Sequence, residues 1–151
     1  MTGDKPTRAS KSSYLDHLPH RPPFVFVQRL IECAPGRSAE CESSFPADDP
    51  IFAGHFPGDP LVPGVILTEA LAQTAGIVAA SGEPQNLEPR FLLSAIRKMK
   101  FCRAVRPGEK IVFRAEKVAA MDALWQFHVE ARVGDQLVAT GDIVLSPDQA
   151  R

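Results

Sequence analysis

The stretch 52–78, FAGHFPGDPLVPGVILTEALAQTAGIV, limits what this chain can fold into more than any other. Its first part is a stiff loop. Pro57, Pro60 and Pro63 fix φ at three places, while Gly54, Gly58 and Gly64 permit turns and close backbone approach. Its second part is a helix, and Pro63 suits the first helical turn, where its missing N–H is not needed. Between positions 65 and 80 only Thr68, Glu69, Gln73 and Thr74 give polar relief to a run of apolar residues. A helix apolar nearly all round is a buried one, and this one reads as too short and too polar to span a bilayer.

The segments around it read as strands. We expect strands over 24–31 and 38–45, the second with Ala39, Cys41, Ser43 and Phe45 on one face. Pro35 and Gly36 make a turn between them, and Asp48, Asp49 and Pro50 make another before the loop. After the helix, Gly82, Pro84 and Pro89 impose a loop over 81–89. A long strand is expected over 91–105, with Met99, Phe101 and Val105 on the core side and Lys98, Lys100, Cys102 and Arg106 outward. Three more strands are expected over 111–120, 123–133 and 136–145, joined by hairpin turns at Met121-Asp122 and Gly134-Asp135. Trp125, Phe127 and Val129 alternate with Gln126, His128 and Glu130, so one face of that strand is buried, and His128 on the other receives no role. The order is strand, strand, central helix, then four antiparallel strands: an α+β domain with one core.

Two residues of the central stretch need a reason. His55 stands in the stiff loop, and Glu69 lies in the second turn of the apolar helix, with Gln73 one turn further on the same face. Taken singly, a loop imidazole bonded to a carbonyl and a helix carboxylate reaching water are the commoner explanations. Taken together, beside a Gly-Pro loop and a free helix N-terminus, they point to chemistry, because a carboxylate on a buried helix is costly unless paired, protonated or working.

Gly54-His55-Phe56-Pro57, Pro60, Pro63-Gly64-Val65, Glu69 and Gln73 together resemble the signature of the (3R)-hydroxyacyl-[acyl-carrier-protein] dehydratases of the FabZ type. The resemblance extends over about residues 14–145. It includes Pro19-His20-Arg21 ahead of an apolar strand and the turn Pro107-Gly108-Glu109. Pro22 stands where the family usually has an aromatic, Gln28 where it has Asp, and Arg97 where it commonly has Asp. The resemblance implies a hot-dog fold, in which a long helix is wrapped by a curved antiparallel sheet and two subunits pair to complete the active sites. It makes His20 a second motif histidine, which we read as orienting its turn.

The chemistry of such a dehydration asks for a base at C2, an acid for the departing C3 hydroxyl and donors for charge growing on the thioester oxygen. An imidazole suits the first, a carboxyl group in apolar surroundings the second, and free N–H groups at a helix N-terminus the third. The resemblance assigns these roles to His55, to Glu69 of the partner subunit, and to the backbone N–H of Gly64 or Val65, with Gln73 orienting Glu69. His55 and Glu69 are fourteen positions apart (69 − 55), and the loop does not easily fold back onto its own helix. The protein is therefore expected to be a homodimer or a trimer of dimers. The implied partner is an acyl carrier protein presenting its acyl chain on a phosphopantetheine arm. Lys98, Lys100 and Arg106 are the expected docking cations, with Arg103 falling on the core side unless a bulge or strand end intervenes. No cofactor or metal is expected. The competing functions are thioester hydrolysis, a specialised secondary-pathway dehydratase and a non-catalytic acyl-carrier binder. The His-bearing loop speaks against hydrolysis, and Glu69 against mere binding.

Composition narrows the classes further. The chain has 151 residues and a formal charge of −1, which fits one domain without a global pull toward nucleic acid or acidic membranes. Cys33, Cys41 and Cys102 lack metal-like spacing and read as reduced, buried small residues of a cytoplasmic protein. Residues 1–13 are polar, without the apolar core of a signal peptide, and are expected to be flexible. Residues 14–146 form the expected domain, with a short helix over 13–18, and 147–151 a tail.

Overall fold

The computed structural model describes Leu15 and residues 18–84 and 90–148. The segment 1–13 expected to be flexible, nearly all of the short helix expected over 13–18 and most of the loop expected before residue 90 lie outside the described residues. Within them, β1 (Arg29–Ala34) and β2 (Ser38–Ser43) precede a one-turn helix α1 (Ile51–Gly54) and the long helix α2 (Gly64–Ser81). Then follow β3 (Phe91–Phe101), β4 (Ile111–Met121), β5 (Leu124–Val133) and β6 (Gln136–Pro147). The strands form one antiparallel sheet in the order β1-β2-β4-β5-β6-β3.

Helix α2 is the axis of the core. Its 18 residues bury Leu67, Leu71, Ile77 and Val78 together with Ala70, Ala72, Ala75 and Ala79, and the small side chains let the sheet approach closely. It is long and apolar enough to be compared with a membrane span, contrary to the sequence expectation, but its apolar surface is spent inside the fold. Against it the sheet presents Cys41, Phe113, Ala115, Phe127, Val129 and Ile143, all fully buried. Phe113 and Phe127 each contribute roughly 1.5–3 kcal/mol by leaving water. The helix stops where its end meets the β1–β2 turn backbone to backbone. A Cβ on Gly82 would lie 2.9 Å from the Cα of Gly36, so neither turn tolerates a side chain. Ser81 completes the joint by accepting the Gly36 N–H at 3.0 Å and donating to Val78 O at 2.8 Å.

Three expectations need correction. The first strand begins at Arg29 rather than at residue 24. Gln28 N–H still reaches Glu42 O of β2 at 3.0 Å, but the groups of Phe26 go elsewhere: its N–H donates to the Gln73 side chain of α2, and its O accepts from Ser43. The loop at the head of the central stretch opens with α1, whose first N–H is accepted by Asp49 Oδ1 at 3.0 Å. Strand β3 ends at Phe101, and its alternation is broken twice, by register shifts at Leu93/Ala95 and Arg97/Lys100. At the second, Lys98 takes φ 54°. Lys98 and Met99 bulge opposite Gly141, whose missing Cβ leaves the space that Met99 fills, 2.8 Å away at its Cα. The shift turns Phe101 outward, 52% exposed, where the sequence pattern had put it in the core, while Met99 stays half-buried and Val105 buried.

Candidate active site

His55 follows α1 with φ −134° and ψ 76°, held by a closed ring of backbone bonds. Phe56 N–H donates to Asp59 O at 3.1 Å, Asp59 N–H to Phe56 O at 2.9 Å, and Leu61 N–H to His55 O at 3.0 Å. Gly58 makes the turn at φ 74°, which an L side chain rarely adopts, and the His55–Phe56 peptide bond is cis. The imidazole is fixed as well. Its Nδ1 lies 3.0 Å from Leu61 O, and a carbonyl only accepts, so Nδ1 carries the hydrogen and Nε2 is left with a free lone pair. Phe56 stacks on the ring at 4.1 Å.

The loop delivers His55 beside the N-terminus of α2. Pro63 is the N-cap, and no side chain caps the helix or places an acid in its first turn. Ile66 and Leu67 N–H both donate to Pro63 O, so the N–H groups of Gly64 and Val65 precede the first helical bonds and find no acceptor among the described residues. An open groove of about 450 Å³ joins these parts, lined by His55, Leu61, Val62, Gly64, Phe101 and Val105 among others. A lone-pair nitrogen and an uncapped, partly positive helix end therefore face one space.

Glu69 faces another. It helps to line a crevice of about 60 Å³ with Leu18, His20, Ala72, Ile77 and Phe91. The lining residues of the two cavities do not overlap. The carboxyl is gripped from inside the protein. Gln73, 1% exposed, donates to Glu69 Oε1 at 3.3 Å and to Phe24 O at 3.1 Å, and accepts Phe26 N–H at 3.0 Å. His20 approaches the same oxygen, its Nε2 3.4 Å away. The structure thus brings Gln73 to Glu69 and Gly64 to His55 as the sequence suggested, and it does not bring His55 to Glu69 within one chain. The contact between His20 and Glu69 was missed. They are 49 positions apart (69 − 20), and the only available signal was the Pro-His-Arg motif itself.

The model of the FabA-like domain matches residues 18–142. The chain belongs to the FabA-like family. It is 37% identical over 132 residues to the 3-hydroxyacyl-[acyl-carrier-protein] dehydratase FabZ of Dechloromonas aromatica (strain RCB), covering 86% of this chain and 92% of that protein. It is 38% identical over 160 aligned residues to the FabZ of Rhizobium rhizogenes (strain K84 / ATCC BAA-868), covering 99% and 100%. Among solved structures it resembles the dehydratase heterocomplex ApeI:P from Xenorhabdus doucetiae, with TM-score 0.76, 18% identity and coverage of 90% and 91%. A hypothetical thioesterase with coenzyme A from Streptococcus pneumoniae TIGR4 gives TM-score 0.68 at 8% identity, covering 93% and 98%. This is the hot-dog fold, and the chain is a hot-dog protein of the FabZ type.

The departures of this FabA-like chain now have places. Gln28 uses both ends of its amide on Ser44, donating to the carbonyl at 2.7 Å and accepting the N–H at 3.2 Å. An Asp there has no hydrogen for that carbonyl. Of the expected docking cations, Lys98 and Lys100 are exposed and make no ion pair among the described residues. Arg106 is exposed but pairs with Asp59 at 2.8 Å, which ties the His55 loop to the segment after β3. Arg103 lies past the strand end, half-buried and paired with Glu109. That pair, with the Arg106 N–H at 2.8 Å, holds the Glu109 carboxyl below the usual range. His128, left without a role, sits 3.3 Å from both Glu130 and Asp142; partial burial opposes its protonation, but the two carboxylates outweigh that and raise it. Burial pushes the Cys41 thiol up to about 12 and raises Cys33, so both are inert fillers. Cys102 is exposed, as the strand alternation had it and against its reading as a buried small residue, and it lies one residue past the end of β3. Among the described residues no cluster of His, Cys, Asp and Glu has the makings of a metal site.

Proposed function

We propose that this protein removes water from (3R)-3-hydroxyacyl thioesters to give trans-2-enoyl thioesters, in fatty-acid or related acyl-chain biosynthesis. One observation carries the mechanism: the base-bearing groove and the carboxyl-bearing crevice are two half-sites of one chain with no lining residue in common. A second copy facing the first supplies the missing half to each. Phe56, Phe24 and Leu93, beside the two cavities, are apolar and exposed, as are Val65 at the head of α2 and Phe101 over Gly64. Strand β3 is an edge with Leu92 and Ile96 also outward. An edge strand of this kind pairs readily with another chain. The assembly is a homodimer at least, with a trimer of dimers as its larger form.

In the completed site, His55 Nε2 takes the proton from C2 of the substrate. The thioester oxygen gains charge and is held by the N–H groups of Gly64 and Val65, with the helix dipole behind them. Glu69 of the facing subunit gives its proton to the C3 hydroxyl, the C3–O bond breaks, the C2–C3 double bond forms and water leaves. A proton passes from the imidazolium to the carboxylate through water to restore both groups. Gln73 keeps Glu69 aimed. The acyl chain arrives on the phosphopantetheine arm of a carrier protein, whose acidic surface meets Lys98 and Lys100. The chemistry uses no metal or organic cofactor, and the cytoplasm is where it takes place.

Thioester hydrolysis remains the competitor within this fold. The test is incubation with 3-hydroxyacyl and enoyl thioesters of several chain lengths, on carrier protein and on coenzyme A. Interconversion of the two through loss and gain of water supports the proposal. Release of free thiol without enoyl formation overturns it.

A further inference from the structure

We infer that His20 is a positioning residue for Glu69, holding one carboxyl oxygen so that the other faces the substrate. The inference deepens the dehydratase reading and rests on it.

Both nearby donors converge on the same atom. His20 Nε2 is 3.4 Å from Glu69 Oε1 and Gln73 Nε2 is 3.3 Å from it, while Oε2 has no hydrogen-bond partner among the described residues. Glu69 lies in the wall of the apolar crevice that His20, Leu18 and Phe91 also line. A carboxylic acid donates from one oxygen only. With Gln73 donating to Oε1 and His20 Nε2 placed beside it, the acid hydrogen falls to Oε2, the oxygen left to meet the departing hydroxyl.

His20 is itself held. Arg21 donates to Leu18 O and, at 2.7 Å, to His20 O, and Phe24 N–H closes the turn on Arg21 O at 2.9 Å. Leu18 is buried, 4% exposed, which anchors the turn in the core. Phe24 lies parallel to the imidazole, its centroid 6.1 Å away, and braces edge-on against Phe26. Phe24 O and Phe26 N–H are in turn the groups that hold Gln73. One short segment therefore supplies His20 and fixes Gln73, so both grips on Oε1 share a foundation. The Nδ1 of His20 is buried without a partner among the described residues. An orphaned lone pair is tolerated better than an orphaned N–H, so the hydrogen sits on Nε2, where Glu69 can accept it. The present 3.4 Å is long for a hydrogen bond, and such contacts tighten when substrate is bound.

The test compares His20→Gln, whose amide nitrogen reaches about as far as Nε2, with His20→Leu, which keeps bulk and loses the donor. Each is assayed with a 3-hydroxyacyl pantetheine thioester beside the wild type, and each is melted. We expect His20→Leu to lose kcat by about 10–100-fold, by analogy with removing the hydrogen-bond partners that orient metal ligands, with KM and melting temperature little changed. His20→Gln should recover most of the kcat. In the Glu69→Gln background, His20→Leu should cost little more, since the group it aims is gone. An active wild type with His20→Leu equally active overturns the role. Equal loss in the Gln and Leu variants, or loss confined to KM, also overturns it, since packing or substrate contact explains those results. A wild type without dehydration overturns the functional reading instead, and the role of His20 falls with it.

Discussion

Replacing Gly64 by alanine should separate stability from activity. Gly64 opens α2 with helical backbone, so alanine is compatible there. Such a change stabilises a protein by roughly 0.4–1 kcal/mol through the unfolded chain. Against it stands one contact: the new Cβ would lie 3.1 Å from Cε1 and 3.2 Å from Cζ of Phe101. The Phe101 ring is 52% exposed at a strand end, so it can give the few tenths of an ångström required. The melting temperature should hold or rise by about 1–4 °C, at roughly 2–4 °C per kcal/mol for a domain of this size. Turnover should not survive so well. The methyl group is added to the wall of the groove that Gly64 shares with His55, where the thioester oxygen must approach. The N–H groups remain, but an oxygen kept from one of them forfeits what an oxyanion donor supplies, up to about 10²–10³-fold in kcat. The assay is enoyl formation from a 3-hydroxyacyl pantetheine thioester, alongside thermal unfolding. A folded Gly64→Ala protein working at the wild-type rate would refute the placement of the oxyanion at this helix end.

Gln73→Met should remove about 2–4 kcal/mol of stability, because Phe26 N–H and Phe24 O lose their partner in half-buried surroundings; an unchanged melting temperature would show that the segment does not depend on it. Lys98→Glu with Lys100→Glu should slow turnover of carrier-bound substrate through association, leave a small thioester nearly untouched and weaken the salt sensitivity of the wild type; equal loss on both substrates would end the docking idea. Glu109 is depressed chiefly by Arg103, so its contribution to stability is present above the ordinary carboxyl range and is lost as the pH falls through its lowered folded value. Arg103→Met should flatten that acid-side loss in unfolding measured from pH 6 downward, and an unaltered profile would contradict it.

What the sequence showed followed from local rules. The helix was legible from its apolar run and Pro63, the two hairpins after β4 from their turns, and the nearness of His55 to the head of α2 from a motif that keeps its order. What it hid was set by contacts distant along the chain. The bulge at Lys98 exists because Gly141, on another strand, has no side chain to exclude Met99, and nothing within 91–101 announces it. Phe24 and Phe26 alternate with Val25 and Val27 like a strand, yet the buried amide of Gln73 takes the backbone groups a ladder would use. Cys102 read as buried from its residue type alone, although the alternation along 91–105 already pointed it outward. His20 looked like a turn residue because its carboxyl neighbour comes from a helix that begins 44 positions later (64 − 20).

The claim that each site is completed by a second subunit is tested most directly by mixing two inactive chains. His55→Ala and Glu69→Gln should each be folded and each lose most of the roughly 10²–10⁴-fold that an acid or a base provides. In a hybrid dimer, one site draws Glu69 from the first chain and His55 from the second, and is intact. Random pairing at equal amounts makes half of the dimers hybrid, each with one good site of two, so about a quarter of wild-type activity should return. No return above the parent chains, with subunit exchange shown independently, would place both residues' chemistry within one chain and contradict the account.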